Sequence, residues 1–489
     1  MAISIGPLPI SPTSLSHSPP SRKDEMLSRS YSEPIPLPRR FSVLKERLVS
    51  GKESTLVPSW QRLIRGLSDE VDLISSLSSQ AVPTIDFSNI KKPRVAEVFR
   101  EGLRQRGVAI IRNVIPRNTA EDLYQGAMGY LDENAQKRPR TPQETDLQEL
   151  YWSATQIKAR GHPNVLEAQR FAMGLWTSKD PKARVATNFP ITYADRIRTG
   201  QGAADTRTPV AAHIDGGSVE RWETDGYGRA GTYNEIFQGK WEEYNPWESS
   251  TRLTVTSDLY HKAGACSIFR MYQGWLALSP GHSSMRVCPI LRHATAYFLL
   301  RPFFSSSSSS SSQDDWSFTS PPNSILHGAL PSYAQEINPS IHPHLQLSRS
   351  LVDIPDLQPG DYLIWHPDLI HSITSPSTTT SASVMYLPCV PLTQTNALYL
   401  SRQRKSFLLG CPGPDFFDGC GYGSGSHGRG EAHYVGRPGV QEVSEAGGEE
   451  GLRAMGLLPW DEEEADTDFE REVLAMANGI LFPDLYDMY

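Results

Sequence analysis

At 489 residues, with 38% hydrophobic and 21% charged side chains, the chain has the composition of a globular protein of up to about three domains. That balance excludes fibrous and membrane-embedded classes, and no run approaches the roughly 18 consecutive apolar residues of a spanning helix. The net charge of −8 is concentrated in one place: from Glu442 to Glu472 twelve acids face only Arg453 and Arg471. The body is then nearly neutral and offers no Lys/Arg stripe, so a nucleic-acid partner is not expected.

In chain order, residues 1–40 hold eight prolines and nine serines without hydrophobic periodicity, which predicts a disordered tail. Pro7, Pro9 and Pro12 break any secretory h-region, while Asp24, Glu25 and Glu33 oppose an amphipathic import helix. A cytoplasmic protein is expected, with mitochondrial import as the minor alternative. The cysteines Cys266, Cys288, Cys389, Cys411 and Cys420 are odd in number and lack C-x-x-C spacing; they read as reduced thiols.

Residues 41–190 read as a helical and mixed support region. Apolar residues recur at helical spacing from Phe41, through Ser59 to Leu67, and over Val95–Leu103, Ala120–Tyr130, Leu147–Lys158 and Val165–Trp176. Two short strands, Val82–Phe87 and Gly107–Arg112, interrupt them. Residues 191–400 read as short strands between long polar loops: Thr192–Arg198, Val210–Asp215, Ser267–Leu278, Ala296–Arg301, Asp361–His366 and Ser383–Leu387. Many strands without intervening helices favour an antiparallel sandwich or barrel. The eight serines Ser305–Ser312 open a segment, 305–324, expected to be a disordered insertion. Residues 401–489 read as a Gly-rich loop, an acidic segment and a last helix near Phe469–Ala477.

Gly423–Gly428 satisfies G-x-G-x-x-G, but no apolar strand precedes it, so it reads as a flexible loop. No Walker loop, G-x-S-x-G or H-E-x-x-H occurs. What remains is histidine at strand ends. In Val210–Asp215, period-two alternation places His213 and Asp215 on one face. Imidazole and carboxylate on one face, joined by a second imidazole, are the ligand set that holds Fe(II) with open positions for substrate-derived ligands and dioxygen. Gly216 and Gly217 would let the backbone turn beside such a metal. With 13 histidines and 55 acids in 489 residues, roughly 1.5 H-x-[DE] tripeptides arise by chance, so the count alone decides nothing. Context separates the two that occur: the second, His366-Pro367-Asp368, straddles a proline that interrupts strand geometry. From the residues alone, His366 and His371 both compete as the distal imidazole.

Several separated motifs carry a more specific signal. These are His213–Trp222, Tyr151-Trp152-Ser153, Ala263–Ser267, Gln273–Leu278, Leu300–Phe304 and Gly360–His371. Together the sequence resembles the uncharacterised YbiU-like family of bacteria and fungi over about residues 41–485, within the Fe(II)/2-oxoglutarate-dependent dioxygenase superfamily. The resemblance implies an α+β protein whose 191–400 core is a double-stranded β-helix (a cupin-like jelly roll) buttressed by the N-terminal helices. It also implies Fe(II) held by His213, Asp215 and His371, with 2-oxoglutarate as cosubstrate and His366 in a structural role.

One departure from the superfamily pattern stands out. The basic residue expected about ten positions after the distal histidine is Ser381 here, and no Lys or Arg occurs between His371 and Arg402. A guanidinium fork matches a carboxylate, so Arg270 and Arg301, both in apolar surroundings, become the candidate clamps, with Trp275 as a further cosubstrate contact. The aromatics Trp222, Tyr227, Tyr233, Phe237, Trp241, Tyr244 and Trp247 form either a substrate lid or a packed satellite core. The expected activity is an Fe(II)/2-oxoglutarate-dependent oxygenase acting on a small molecule with dioxygen. The alternatives are a non-catalytic metal-binding scaffold of the same fold and a cupin-like non-oxygenase.

Overall fold

The computed structural model describes residues 33–137, 147–200, 210–261, 265–281, 284–306, 316–374, 382–416 and 430–486. Ser381, the glycine loop at 423–428, Cys420 and residues 1–32 lie outside these. Within them the chain is a mixed α+β protein with two main sheets.

The larger sheet has seven strands in the order β1 (Thr84–Asp86), β2 (Val108–Arg112), β13 (Tyr362–Trp365), β7 (Gln273–Ala277), β15 (Val384–Tyr386), β5 (Ile197–Arg198) and β3 (Leu147–Gln148). The smaller has five, ordered β11 (Gln335–Glu336), β6 (Val210–Ile214), β14 (His371–Ile373), β8 (Met285–Val287) and β12 (Val352–Asp353). Two-stranded pairs are made by β9 (Phe304–Ser306) with β10 (Trp316–Phe318), and by β4 (Val185–Ile191) with β16 (Val390–Thr393). Apart from β1 with β2, every pairing is antiparallel. The central strands β2, β7, β13 and β14 are buried almost throughout, and β2 and β13 accordingly read as nearly continuous apolar runs.

The Gly360-Asp361 pair shows how the sequence seats β13. Gly360 adopts φ +93°, and a Cβ there would lie 2.0 Å from the Ile115 carbonyl, so only glycine fits the approach. Asp361 then accepts hydrogen bonds from Asn113 N, Gln358 N and the Arg112 guanidinium, pinning β13 against β2. That fixes the start of the segment which ends at His371.

Long amphipathic helices, chiefly Glu53–Leu77, Pro93–Arg106 and Arg117–Glu133, form as the periodicity predicts, Pro93–Arg106 packing on β1 and β2 and the others chiefly on neighbouring helices. Three expectations are corrected. Ala296–Arg301 is not a strand; it ends the helix Leu291–Leu300, whose residues Ala294–Leu300 are all buried. An unbroken apolar run carries no period, so strand and buried helix could not be told apart. The 305–324 segment is ordered at both ends: Ser305 and Ser306 pair with Trp316 and Ser317, and Trp316 packs over Arg301 at 4.3 Å. Buried Lys45 ties the far end down through Pro302 O (2.6 Å), Asn323 Oδ1 (2.8 Å) and Ile325 O (3.1 Å). Finally, the tail expected to run to residue 40 is already packed at Leu37, beside a bridge between Pro36 and Ile325.

The acidic segment also holds more structure than its charge suggested. Helix Val440–Ala454 lies against Ala154–Gly161, with Gly447 so close that a Cβ would meet Gly161 O at 2.4 Å. Helix Asp468–Leu481 covers the last expected helical run, capped by Thr467 on Glu470 N. Among the described residues no helix is long and apolar enough to cross a membrane, and Cys266, Cys288, Cys389 and Cys411 are free thiols.

Candidate metal centre

The antiparallel pairing of β6 with β14 sets His213 directly opposite His371. Side chains of paired residues share a face of the sheet, and the two imidazole centroids stand 4.3 Å apart. Asp215, two residues beyond His213, brings its carboxylate between the rings. Its Oδ1 is 3.6 Å from His213 Nε2 and its Oδ2 3.4 Å from His371 Nε2. One ligand atom from each residue lies within 4.8 Å of the others, the one such cluster of three among the described residues.

The far side of each ring is fixed by backbone. His213 Nδ1 lies 2.8 Å from Ala211 O, and His371 Nδ1 lies 3.0 Å from Leu369 O. A carbonyl only accepts, so each Nδ1 carries a proton and each Nε2 is the ring atom that faces Asp215. A proton on Nδ1 is what a histidine ligating through Nε2 needs. Burial pushes the Asp215 carboxyl up, but His213, His371 and Arg270 outweigh it and hold the group well below the usual carboxylate range.

Gly216 (φ +77°) and Gly217 (φ +113°) turn the chain immediately after Asp215 as expected. Asp215 opens onto a cavity of about 140 Å³ whose wall includes Asp195, Arg196, Glu220, Arg270, Gln273 and Tyr386. The lining is polar and charged, suited to a small hydrophilic guest. Arg270 sits in the loop before β7, not on the strand itself, and also borders a smaller recess beside Gly216 and Cys266. Burial lowers its pKa, but the field of Cys266 and Asp215 raises it above the ordinary value, so it stays charged. Gln273 is 7% exposed and its Nε2 is buried with no partner among the described residues.

The other candidates fall elsewhere. Arg301 is not among the residues lining this cavity; its guanidinium is committed to Ile341 O (2.9 Å) and Phe304 O (2.8 Å). Trp275 stands edge-on to Trp365 at 5.6 Å and to Tyr386 at 5.7 Å, with its indole N–H buried and without a partner among the described residues. Across the ladder Trp365 pairs with Gln273, and its ring lies 5.5 Å from His371, its own N–H likewise without a partner among the described residues.

His366 is fully buried, stacked on Trp176 at 5.2 Å, with Nε2 3.0 Å from Pro246 O and Nδ1 accepting from Asp368 N. Burial pulls its pKa down to about 3, so it is neutral and takes no part in the cluster. The seven aromatics after Asp215 are buried in the main core, not poised as a lid. Tyr233 and Tyr244 explain why: their hydroxyls serve buried Asp368 and Arg252. Sequence reasoning gave Gln273 no role beyond its place in the Gln273–Leu278 motif, and the proline-broken tripeptide of Asp368 gave no sign of its partners.

A Gig2-like family model matches residues 35–457. The uncharacterised protein YbiU of Escherichia coli K12 is 30% identical over 379 residues, 73% of this chain and 85% of its own length. Among solved structures, the product of GlcNAc inducible gene 2 from Candida albicans superposes with a TM-score of 0.82 at 27% identity, over 92% of this chain and 96% of that one. A Salmonella typhimurium LT2 protein described as a proposed oxidoreductase superposes with a TM-score of 0.69 at 27% identity, covering 86% and 96%.

Proposed function

Because the chain belongs to the Gig2-like family and brings His213, Asp215 and His371 together, we propose that it is an Fe(II)- and 2-oxoglutarate-dependent dioxygenase, a hydroxylase-type oxidoreductase acting on a small polar molecule. On this reading the two main sheets are the halves of a double-stranded β-helix, with the ligands on the smaller one. The observation that carries it is the convergence itself: one ligand atom each from His213, Asp215 and His371 close together, with the carboxylate on the wall of a cavity.

The remaining groups fit a 2-oxo acid. Unpartnered buried donors each cost about 1–3 kcal/mol, and Gln273 Nε2, Trp275 Nε1 and Trp365 Nε1 are three of them on one face of the β7–β13 ladder. Of these, Gln273 lines the cavity beside Arg270, and two donors on one wall suit a ligand with oxygen acceptors. Arg270, in the same cavity as Asp215, takes the place of the clamp missing at Ser381 and would hold the distal carboxylate. Bound iron and 2-oxoglutarate would supply dioxygen-dependent oxidation of a C–H bond, coupled to decarboxylation of the 2-oxo acid to succinate. The protein's own share is to hold His213 and His371 in the Nδ1–H tautomer, keep Asp215 ionised, neutralise the cosubstrate at Arg270 and seat the substrate against the polar wall.

Anaerobic Fe(II) titration followed by succinate release from 2-oxoglutarate tests this. One equivalent of iron and oxygen-dependent succinate are expected. Iron binding without oxygen uptake would leave a metal-binding scaffold or a cupin-like non-oxygenase, and no metal binding at all would end the reading.

A further inference from the structure

The two segments that carry the ligands are joined by a buried cation. Arg221 is 0% exposed, and its fork spans the turn after Asp215: one terminal nitrogen donates to Gly217 O, the other to Asp215 O at 2.7 Å. That second nitrogen also lies 3.3 Å from Asp368 Oδ1. Asp368 in turn accepts from Arg252 Nη2 at 2.7 Å and from Tyr233 OH at 3.0 Å, while its backbone N–H donates to His366 Nδ1 at 3.0 Å. Three residues later the chain reaches His371, whose Nδ1–H is held by Leu369 O.

The turn needs such a tie. Gly216 and Gly217 both have positive φ, the freedom that lets the strand reverse beside the centre, and two adjacent glycines leave the backbone of Asp215 free to swing. A guanidinium gripping the carbonyls on either side of Gly216 removes that freedom. Anchoring the same guanidinium on Asp368 references it to the turn that presents His371. The pairing is expensive to bury and nothing in the strand pairing requires it, so stability alone is a poor reason for it.

We propose that Arg221 is a positioning residue for the metal centre, setting the distance between Asp215 and His371 through Asp368. This inference rests on the metal reading above. A ligand set held within about 0.5 Å needs this kind of support, and removing a partner of a ligand typically costs roughly 10–100-fold in metal affinity.

The test uses the full-length protein, Co(II) as the probe, and two variants that disturb opposite ends of the network. Arg221→Lys keeps the charge but loses the fork that grips two carbonyls. Tyr233→Phe removes a hydrogen bond from Asp368 without touching the Asp215 turn. Co(II) affinity and the visible d–d spectrum are read beside the urea unfolding midpoint. The expected result is a Co(II) Kd raised about tenfold in Arg221→Lys with a changed spectrum, against a Kd within about twofold of wild type in Tyr233→Phe despite its lower unfolding midpoint. A wild-type Kd and spectrum in Arg221→Lys would overturn the proposal while leaving the metal reading intact. So would Kd changes in both variants that follow only their loss of stability. Failure of the wild-type protein to bind Co(II) would instead bring down the metal reading, and the positioning role with it.

Discussion

Two histidine-x-aspartate tripeptides occur in this chain, and the fold puts them to opposite uses. His213-Ile214-Asp215 lies at the end of a strand with its carboxylate on a cavity wall and its imidazole facing a second one. His366-Pro367-Asp368 is fully buried, with its carboxylate between two arginines and its imidazole capped at both nitrogens. The difference lies in what surrounds each carboxylate. Asp215 has two imidazoles beside it and an open side on a cavity, the arrangement on which the proposed metal site rests. Asp368 has permanent guanidinium charges, which is a site already filled. The same pair of residue types gives a cavity-facing cluster or a structural rivet according to whether the positive charge is built in.

The sharpest way to break that contrast is to remove each carboxylate. Asp368→Ala should destabilise the protein by about 3–5 kcal/mol, because two buried arginines lose their counter-charge, whereas Asp215→Asn should leave the urea midpoint nearly unchanged. Equal losses would mean that the two are alike.

Next in size is the metal itself. His371→Ala should weaken Fe(II) binding by at least about 100-fold in an anaerobic titration, beyond what loss of a mere supporting partner costs. His366→Gln should leave Fe(II) affinity alone, and a drop there would reassign the distal ligand.

The pH dependence sharpens the rivet. Burial lowers the native His366 pKa to about 3, below its ordinary value, so the unfolded chain takes up a proton that the folded one refuses. Stability from this group is complete above the ordinary histidine range and is lost as pH falls toward 3, at about 1.4 kcal/mol per pH unit. Buried His342, also lowered to about 3, adds to the slope in the same direction. His366→Gln should therefore flatten the pH profile of unfolding free energy between about pH 6 and 4; an unchanged slope would mean that His366 is solvated.

The smallest expected effects separate the two candidate clamps. Arg270→Lys should raise the 2-oxoglutarate concentration for half-maximal succinate release about tenfold, since a point charge replaces a bidentate fork. Arg301→Met should leave it within about twofold, its guanidinium being engaged by backbone carbonyls away from the cavity. The reverse ranking would move the cosubstrate.

Much of this was legible before any coordinates. Alternation over Val210–Asp215 put His213 and Asp215 on one face because a strand has period two, and the amphipathic helices announced themselves by period 3.6. Spacing did not separate His366 from His371; the register that sets His371, and not His366, opposite His213 is a matter of tertiary structure. The run ending at Leu300 misled because a wholly buried helix has no polar face to mark its period.

By itself, then, the sequence determined the local periodicities, the sharp glycine turn after Asp215 and the residue types able to hold a metal, all of which act over a few neighbouring positions. Only the tertiary structure decided which histidine joins them, that Arg270 and not Arg301 reaches the cavity, and that Arg221, Arg252 and Asp368 meet. Those outcomes depend on strand register and on charges brought together from segments over a hundred residues apart, and no short-range pattern encodes such a meeting.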